Sequence, residues 1–384
     1  CIIQVLHNLG NEVVLTAPTG RAAKRMSEAT GLEAKTIHRL LEYTVSDGQP
    51  VFSRHFSNPL DGDVFIIDEL SMVDIHLMRA LLFAVPDGAR LIIVGDADQL
   101  PSIGPGCVLR DIISSECVPV ITLSEIFRQK IDSVIVLNAH RINKGQMPLT
   151  DNSYNDFKLV VRESKPSIVE TVIKLCSEYI PERFGFSPDD IQVLSPNRKQ
   201  EDGVINLNRL LQAKINPPLK AKKEINLGHQ ILRVSDKVMQ IRNDYQLEWK
   251  KFFDNGLYDE GMGVFNGDMG KVDDIDGEGT VTVLFDDGKK AQYDAANLED
   301  IITAYAISIH KSQGCEFPCV VIPISMGSPY LYNRNLLYTA VTRARELVVL
   351  VGSGEAIQAM VSNVSMLRRY SSLTKKLRAE FAKD

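Results

Sequence analysis

The chain has 384 residues, of which 44% are hydrophobic and 24% are charged, and its net charge is −6. These proportions are typical of soluble globular proteins and exclude disordered, collagen-like and membrane-spanning classes. The length exceeds that of most single hydrophobic cores, so we expect two or three domains, and the negative charge restricts any nucleic-acid-binding surface to a local basic groove.

The amino-terminal end predicts a fragment of a longer protein. The chain begins at Cys1 without a Met, in what reads as the middle of an amphipathic helix that has no preceding cap. The six cysteines lack the spacing of a disulfide scaffold, which favours a reducing, cytoplasmic location. The sequence contains no recognisable targeting segment and no apolar run of membrane-spanning length, so we expect no membrane partner.

The first predicted domain covers residues 1–118 and has the pattern of an α/β fold. Apolar strands are predicted at residues 12–15, 64–67 and 91–94, with helical segments between them. Strands that are apolar on both faces indicate a parallel sheet covered by helices on both sides, and such sheets bind ligands at the carboxyl ends of their strands. A polar stretch at residues 43–62 is predicted to be an inserted hairpin.

A second α/β domain is predicted from two separate stretches, residues 119–234 and 300–384. Its apolar strands are expected at residues 191–194, 320–324 and 347–351. These strands again alternate with helical segments, so a second parallel sheet is expected.

Residues 235–299, between these stretches, have a β pattern instead. Asp276-Gly277 and Asp287-Gly288 are tight-turn signals between alternating apolar and polar stretches. We therefore predict a small β-barrel inserted into the second α/β domain.

Polar residues follow two strands of the first domain. Asp68 and Glu69 stand where a nucleotide hydrolase has one carboxylate that binds Mg²⁺ and another that activates water. Strands that end in Asp-Glu at a solvated sheet edge are also common, so the pair alone leaves both interpretations open. Gln99 follows the next strand on a turn rich in Gly and Pro, where an amide can hydrogen-bond both a γ-phosphate and the attacking water. An ordinary surface turn is the alternative.

Two further segments of the first domain are candidates for phosphate binding. Pro18, Thr19 and Arg21 lie where the first strand leads into a helix, and helix N-termini bind phosphate groups. The alternative is a simple helix cap with a solvated arginine. His38 and Arg39 give a weaker signal, because His38 is also compatible with a packed core position.

The second domain offers two arginines and one polar segment. Arg128 and Arg343 are each flanked by apolar helix positions, and an arginine that reaches across a cleft can neutralise charge on a transferring phosphoryl group. Taken singly, each pattern favours a surface ion pair over this role. Residues 306–317 place several polar side chains around a glycine, an arrangement suited to contacts with a DNA backbone and a nucleotide ribose. Phe127 and Tyr338 are candidates for base stacking or for the core.

In order along the chain, these clusters resemble the motif series of superfamily 1 helicases. The amino-acid sequences of these motifs resemble those of the RecD branch, close to the long bacterial RecD-like helicases and the exodeoxyribonuclease V alpha subunit. Its motifs are Thr-Ala-Pro-Thr-Gly-Arg-Ala-Ala-Lys, Ile-Asp-Glu-Leu-Ser-Met, Gly-Asp-Ala-Asp-Gln-Leu-Pro, Ile-Phe-Arg-Gln, His-Lys-Ser-Gln-Gly and Thr-Ala-Val-Thr-Arg-Ala.

The resemblance implies an α/β fold of two RecA-like P-loop NTPase domains, with ATP between them and single-stranded DNA across both. The barrel then corresponds to the SH3-like module of this branch, and the hairpin to its strand-separating element. Implied catalytic residues are Glu69, Gln99, Arg128 and Arg343, and Asp68 is the implied Mg²⁺ ligand. Implied nucleotide-binding residues are Asp68, Glu69, Gln99, Arg128, Gly314, Glu316 and Arg343. Implied DNA-binding residues are Pro18, Thr19, Arg21, His38, Arg39, His310, Lys311 and Ser312.

The implied activity is ATP-driven 5′-to-3′ movement on single-stranded DNA with unwinding at duplex junctions, in recombination or repair. Single-stranded-DNA-binding protein and nuclease subunits are the implied protein partners. One departure from the family matters, because no Gly-x-x-x-x-Gly-Lys-[Ser/Thr] phosphate loop occurs in the sequence. We therefore expect these 384 residues alone to bind ATP poorly. An RNA-directed superfamily 1 helicase and a non-catalytic single-stranded-DNA-binding remnant are the alternatives.

Overall fold

A computed structural model describes residues 2–46, 49–123, 133–151, 153–364, 369 and 371–383. The chain forms two compact units. Unit 1 is Cys1–Glu125 with Met366–Asp384, and unit 2 is Ile126–Ser365.

Unit 1 is built on a four-stranded parallel sheet with the strand order β2-β1-β5-β6. The strands predicted at residues 12–15, 64–67 and 91–94 are confirmed to within two residues. The unit's strands are β1 (Val13–Ala17), β2 (Ala34–Thr36), β3 (Tyr43–Ser46), β4 (Gln49–Phe52), β5 (Val64–Ile67) and β6 (Arg90–Ile93). Its first helices are α1 (Ile2–Asn8), α2 (Gly20–Thr30), α3 (Ile37–Leu40), α4 (Ile75–Ala84) and α5 (Val108–Ser115).

Strand β5 explains why helices cover both faces of this sheet. All four of its residues are buried, and alternate side chains point to opposite faces. Phe65 and Ile67 belong to a cluster that also contains residues of α3, α4 and α5. Val64 and Ile66 pack instead with Leu6 of α1 and, on its partly buried rim, with Met26 of α2.

The hairpin is an antiparallel pair of strands, β3 and β4, within the stretch predicted as an insertion. Its base is aromatic, because the rings of Tyr43 and Phe52 lie 5.5 Å apart. The ring of His38 packs edge-on to Tyr43 at 5.5 Å, so α3 supports the hairpin directly.

Unit 2 contains a five-stranded parallel sheet in the order β18-β8-β19-β20-β7. The predicted strands at residues 191–194, 320–324 and 347–351 are confirmed, each within a longer strand. The sheet consists of β7 (Phe157–Val161), β8 (Ile191–Ser195), β18 (Ala306–Ser308), β19 (Phe317–Ile324) and β20 (Ala344–Gly352). Its helices are α6 (Val134–Asn143), α7 (Lys165–Lys174), α8 (Ile180–Phe184), α9 (Val204–Ile215), α10 (Arg334–Val341) and α11 (Gly354–Ser362), with a π-helical turn, Leu175–Tyr179, joining α7 to α8.

The predicted β-barrel is present as a seven-stranded antiparallel sheet in the order β13-β12-β16-β15-β14-β11-β17. Trp249 of β12, the only tryptophan in the chain, lies over Gly261 of β13, and the Lys289 ammonium is 4.4 Å from its ring. The strands are β11 (Lys237–Gln240), β12 (Asp244–Phe252), β13 (Tyr258–Val264), β14 (Met269–Ile275), β15 (Val281–Phe285), β16 (Lys289–Tyr293) and β17 (Ile301–Thr303). A two-stranded ribbon of β9 (Glu224–Asn226) and β10 (Ile231–Arg233) precedes them.

A buried carboxylate joins the barrel to the α/β part of unit 2. Asp236 precedes β11 and is fully buried. It accepts hydrogen bonds from Gln212 of α9 and from Asn216, which caps the end of α9. It also accepts from the Tyr305 hydroxyl at 2.9 Å and from the Arg233 backbone N–H at 2.7 Å. Because Tyr305 immediately precedes β18, this network fixes the start of that strand relative to the barrel.

The carboxyl-terminal residues differ from the predicted domain limits. They were assigned with the rest of residues 300–384 to the second domain, whereas Met366–Asp384 group with unit 1. The reason is the packing of α12 (Leu373–Phe381) on α5. Across the residues that the structure describes, no helix combines the length and apolarity needed to cross a bilayer.

Candidate functional site

Asp68 and Glu69 lie at the carboxyl end of β5, at the centre of the unit 1 sheet. The Asp68 backbone N–H donates to the Thr16 carbonyl at 3.0 Å, so the acids follow directly from strand pairing with β1. The Glu69 N–H then donates to Asp68 Oδ1 at 2.8 Å. Both side chains are half-buried at the sheet edge.

The backbone at Glu69 has a left-handed conformation, with φ 52° and ψ 39°. A residue with a Cβ loses about 1–2 kcal/mol in this region. The chain turns here into a 3₁₀ segment, and the Leu70 N–H donates to the Val94 carbonyl at 3.0 Å. Such strain is concentrated at functional sites, and here it sets the direction of the Glu69 side chain.

Gln99 lies on the turn that follows β6, next along the sheet from β5. Its Nε2 donates to Asp96 Oδ2 at 3.2 Å. Its Oε1 is buried and has no hydrogen-bond partner among the described residues. Gly95 allows this turn to approach the acids, because a Cβ there would lie 3.1 Å from the Leu70 nitrogen and 2.9 Å from a Leu109 methyl group.

The segment after β1 forms a capped helix start. Thr19 is the N-cap of α2, and its hydroxyl oxygen accepts a hydrogen bond from the Ala22 N–H at 3.2 Å. Pro18, Thr19 and Arg21 are half-buried at the same edge of the sheet as the acids. The helix cap that the sequence left open as an alternative is therefore present, and phosphate binding at this helix start stays a prediction.

His38 and Arg39 belong to the short helix α3, which Thr36 caps by accepting from the Arg39 N–H at 3.2 Å. Arg39 is exposed, whereas His38 packs against the aromatic base of the hairpin. Burial lowers the pKa of His38, with a smaller opposing effect from Asp74. The structure thus gives His38 the packed position that the sequence left open as an alternative.

In unit 2, His310 and Lys311 lie in a 3₁₀ segment at the carboxyl end of β18. Burial and, to a smaller extent, the positive charge of Arg198 lower the pKa of Lys311 to about 8. Burial also lowers the pKa of His310. Both side chains are half-buried, and Lys311 thus lies in a local field that is already positive.

Ser312 differs from its predicted role as a DNA contact. It is fully buried, and its hydroxyl donates to the Ile309 carbonyl at 2.7 Å. The 3₁₀ turn rotates this side chain inward, so it closes the turn and is not presented to a ligand.

Arg343 is also held inside its unit. Its side chain is almost fully buried, and it donates to the carbonyls of Thr339 and Cys315, each at 3.2 Å. These contacts connect α10 to the segment that contains Gly314 and Glu316. Gly314 has φ 74° and is buried, and Glu316 is half-buried just before β19. The role of Arg343 as an arginine finger stays a prediction. In this structure its side chain joins α10 to the segment before β19.

Arg128 and Phe127 lie outside the described residues. Two residues that the sequence reasoning missed are Arg198 and Lys199, which are exposed in the loop after β8. Because β8 pairs with β18, this loop ends at the same sheet edge as His310 and Lys311. The signal was available in the basic pair of Ser-Pro-Asn-Arg-Lys directly after an apolar strand.

The donor set of unit 1 fits a Mg²⁺ ion that is shared with a nucleotide. Among the described residues, no group of three His, Cys, Asp or Glu side chains is arranged to hold a metal alone. Mg²⁺ at nucleotide sites takes one or two carboxylates and completes its shell with phosphates and water. Asp68 meets that requirement, since one of its oxygens is fixed by the Glu69 N–H and the other is left for a cation.

Solved structures with this fold are helicases. Pif1 helicase from Candida albicans is 20% identical with a TM-score of 0.53, over 98% of this chain and 91% of that one. Bacteroides Pif1 bound to single-stranded DNA is 18% identical with a TM-score of 0.51, over 99% and 90%. Likeness at this identity shows the fold alone, which has two RecA-like α/β domains and an inserted SH3-like β module.

Sequence comparison identifies the family to which the chain belongs. Family models match at residues 1–163 (AAA domain), 207–285 (ATP-dependent RecD-like DNA helicase SH3 domain) and 303–351 (UvrD-like helicase C-terminal domain). The ATP-dependent RecD2 DNA helicase of Deinococcus radiodurans is 33% identical over 98% of this chain and 48% of its own length. The RecBCD enzyme subunit RecD of Mycolicibacterium smegmatis is 30% identical over 95% and 66%. The chain belongs to the RecD-like family of superfamily 1 DNA helicases, and it spans about half the length of the Deinococcus relative.

Proposed function

We propose that the chain carries the motor of an ATP-dependent helicase that moves 5′-to-3′ on single-stranded DNA and separates duplex strands. One observation carries the proposal. Asp68, Glu69 and Gln99 lie at one edge of a parallel sheet, and Gln99 Oε1 is buried there without a hydrogen-bond partner among the described residues. The names of the RecD relatives support DNA as the substrate. The direction of movement rests on the family resemblance.

The three side chains have separable tasks in hydrolysis. Asp68 would hold Mg²⁺, and Mg²⁺-ATP supplies the phosphoryl group whose transfer to water releases energy. Glu69 accepts a proton from that water. Gln99 has its amide nitrogen engaged by Asp96, which leaves Oε1 to accept a hydrogen bond from the same water. The water attacks the terminal phosphoryl group, so Gln99 would orient it for reaction only while a triphosphate is bound.

The DNA side would use the basic ends of the strands. Arg198, Lys199, His310 and Lys311 gather at one edge of the unit 2 sheet and suit the phosphate backbone of a single strand. On unit 1, Pro18, Thr19 and Arg21 offer a helix start for further phosphates. Exposed Arg39 adds a positive charge beside the hairpin, which is the proposed strand-separating element.

The remaining nucleotide contacts are carried over from the family at matching positions. Arg128 and Arg343 are the proposed fingers, and Gly314 and Glu316 the proposed ribose contacts. To contact the phosphate, Arg343 would have to break its hydrogen bonds to the carbonyls of Thr339 and Cys315. Whether these bonds break when nucleotide binds tests the assignment. Single-stranded-DNA-binding protein, nuclease subunits, a role in recombination or repair, and a cytoplasmic location are proposed on the same basis.

The decisive experiment compares two proteins, the 384-residue chain and the same chain preceded by a strand and phosphate loop of the RecD family. Only the second is expected to hydrolyse ATP, with stimulation by oligo-dT, and to unwind a duplex that has a 5′ tail but not one with a 3′ tail. Micromolar Mg²⁺-ATP affinity in the shorter protein would contradict the expected weak binding. Stronger stimulation by oligo-rU would transfer the assignment to RNA, and strong DNA binding without hydrolysis would favour a binding remnant.

A further inference from the structure

We propose that Arg369 is a positioning residue for the turn that carries Gln99, and that Arg369 and residues 371–381, the C-terminal brace, together restrain unit 1. Its effect on nucleotide sensing rests on the proposed function, whereas its effect on loop rigidity does not.

The guanidinium of Arg369 gathers the loop that follows Gln99. It donates to the carbonyl oxygens of Ser102 and Gly104, each at 2.6 Å, and of Gly106 at 2.8 Å. The Ser102 hydroxyl lies 3.5 Å from the same group and itself donates to the Gly104 carbonyl at 3.1 Å. One side chain therefore fixes three carbonyls within five consecutive residues.

The chemistry of this contact suits arginine. Three carbonyls that converge on one point repel each other unless a cation with several fixed donors lies between them. The planar guanidinium has five N–H donors in a rigid fork, whereas a lysine ammonium has three donors on a flexible stem. A glutamine at this position would remove the charge and most of the donors.

The loop transmits this restraint to both parts of the hydrolytic site. On one side, only fully buried Leu100 and half-buried Pro101 separate Ser102 from Gln99. On the other side, the Pro105 carbonyl accepts a hydrogen bond from the Ile75 N–H at 3.0 Å. Gly104 lies so close to Asp74 that a Cβ would meet its carboxylate oxygen at 2.0 Å. The loop therefore packs against the start of α4, which follows the turn that begins at Glu69.

The rest of the brace makes separate contacts with unit 1, on α5. Helix α12 packs on α5, and Arg378 donates to the carbonyls of Ser114 at 2.7 Å and Ser115 at 3.2 Å at the end of α5. Thr374 donates to the Asp111 carbonyl at 3.2 Å. Arg378 thus has the same charge and the same kind of partner as Arg369, but it lies away from the Gln99 turn. It is a matched control.

Hydrogen exchange on the 384-residue chain tests the brace without nucleotide. We expect Arg369→Gln to raise the exchange rate of the Ile75 and Gln99 amides about tenfold. Arg378→Gln should leave those two amides unchanged and affect only the end of α5. Equal rates in both variants, or faster exchange across the whole of unit 1, would overturn the proposal.

The preference for a triphosphate over ADP tests the positioning role. It is measured in the loop-extended protein, which is the 384-residue chain preceded by a strand and phosphate loop of the RecD family. We expect Arg369→Gln to lower the preference for a non-hydrolysable triphosphate over ADP about tenfold, because only the triphosphate places a γ-phosphate and its neighbouring water beside the Gln99 amide. Arg369→Lys should recover part of that preference, and Arg378→Gln should retain all of it. An unchanged preference in Arg369→Gln would overturn the positioning role. If the unmodified extended protein neither binds nor hydrolyses ATP, the proposed function fails, and the exchange measurement still decides whether Arg369 holds the loop.

Discussion

The two parallel sheets of this chain end in opposite kinds of chemistry. The carboxyl edge of the unit 1 sheet has acids and an amide, Asp68, Glu69 and Gln99, on turns that include a left-handed residue. The edge formed by β8 and β18 in unit 2 has bases, Arg198 and Lys311. The same architecture therefore supplies one edge suited to a cation and water and another suited to phosphate anions.

The two edges also differ in how they are held. Glu69 has a strained left-handed backbone, and the turn that contains Gly95 packs closely against the next residue, Leu70. The basic edge of unit 2 begins at a strand whose preceding residue, Tyr305, is bonded to buried Asp236. Backbone strain thus sets the direction of one side chain, Glu69, whereas the buried network around Asp236 fixes the start of a whole strand.

The largest expected effect separates the two edges by function. In the loop-extended protein, Glu69→Gln should lower the rate of ATP hydrolysis by about 10²- to 10⁴-fold, because the water loses its general base. Affinity for oligo-dT, measured by fluorescence anisotropy, should stay within about twofold, since the basic edge is untouched. Asp87→Asn, an exposed acid before β6, is the control and should be silent. Full activity in Glu69→Gln would remove the acidic edge from the mechanism.

A second change tests the buried network. Asp236→Asn turns one acceptor into a donor that faces Gln212, Asn216 and Tyr305, and should lower the free energy of unfolding by about 2–3 kcal/mol. Urea denaturation gives the value, and Asp254→Asn in the exposed β12–β13 turn is the control. A loss below about 0.5 kcal/mol would show that the network does not anchor β18.

The pH dependence of DNA binding tests the basic edge. Lys311 is charged below its pKa of about 8 and neutral above it, so phosphate attraction is present at pH 7 and lost as the pH rises. Affinity for oligo-dT should fall roughly three- to tenfold between about pH 7 and 9. Lys311→Arg should abolish most of this fall, because arginine stays charged, whereas Lys199→Arg should leave the fall in place. An identical fall in both variants would exclude Lys311 as its source.

The smallest expected effect concerns strain at the acidic edge. Glu69→Asn should raise the free energy of unfolding by up to about 1 kcal/mol, because asparagine tolerates the left-handed region better than glutamate. Thermal unfolding of the 384-residue chain is the measurement, and Glu116→Asn, also left-handed at φ 59° at the end of α5, provides a comparison away from the site. Destabilisation at position 69 alone would mean that the glutamate makes contacts that outweigh the strain.

The sequence predicted what depends on strand pattern and on local order. The strands before Asp68 and Gln99, the cap at Thr19 and the barrel all follow from apolar alternation and turn residues near in the chain. Side-chain orientation within short 3₁₀ turns is not encoded in that way, and for this reason the inward position of Ser312 was missed.

Long-range packing accounts for the other differences. The docking of α12 on α5 joins residues more than 250 positions apart, and no periodicity in either helix identifies its partner. The contacts of Arg369 have the same origin. Buried Arg343 shows the converse case. The family motif identified this residue in the sequence, whereas only the structure shows its hydrogen-bond partners.

The single tryptophan has a practical consequence for spectroscopy. Trp249 lies in the barrel, over Gly261 and beside the ammonium of Lys289. Intrinsic indole emission from the whole chain therefore arises from one ring in one module, next to a cation that shifts its excited state. Tryptophan emission from the barrel can be followed without labels, because no other part of the chain contains a tryptophan.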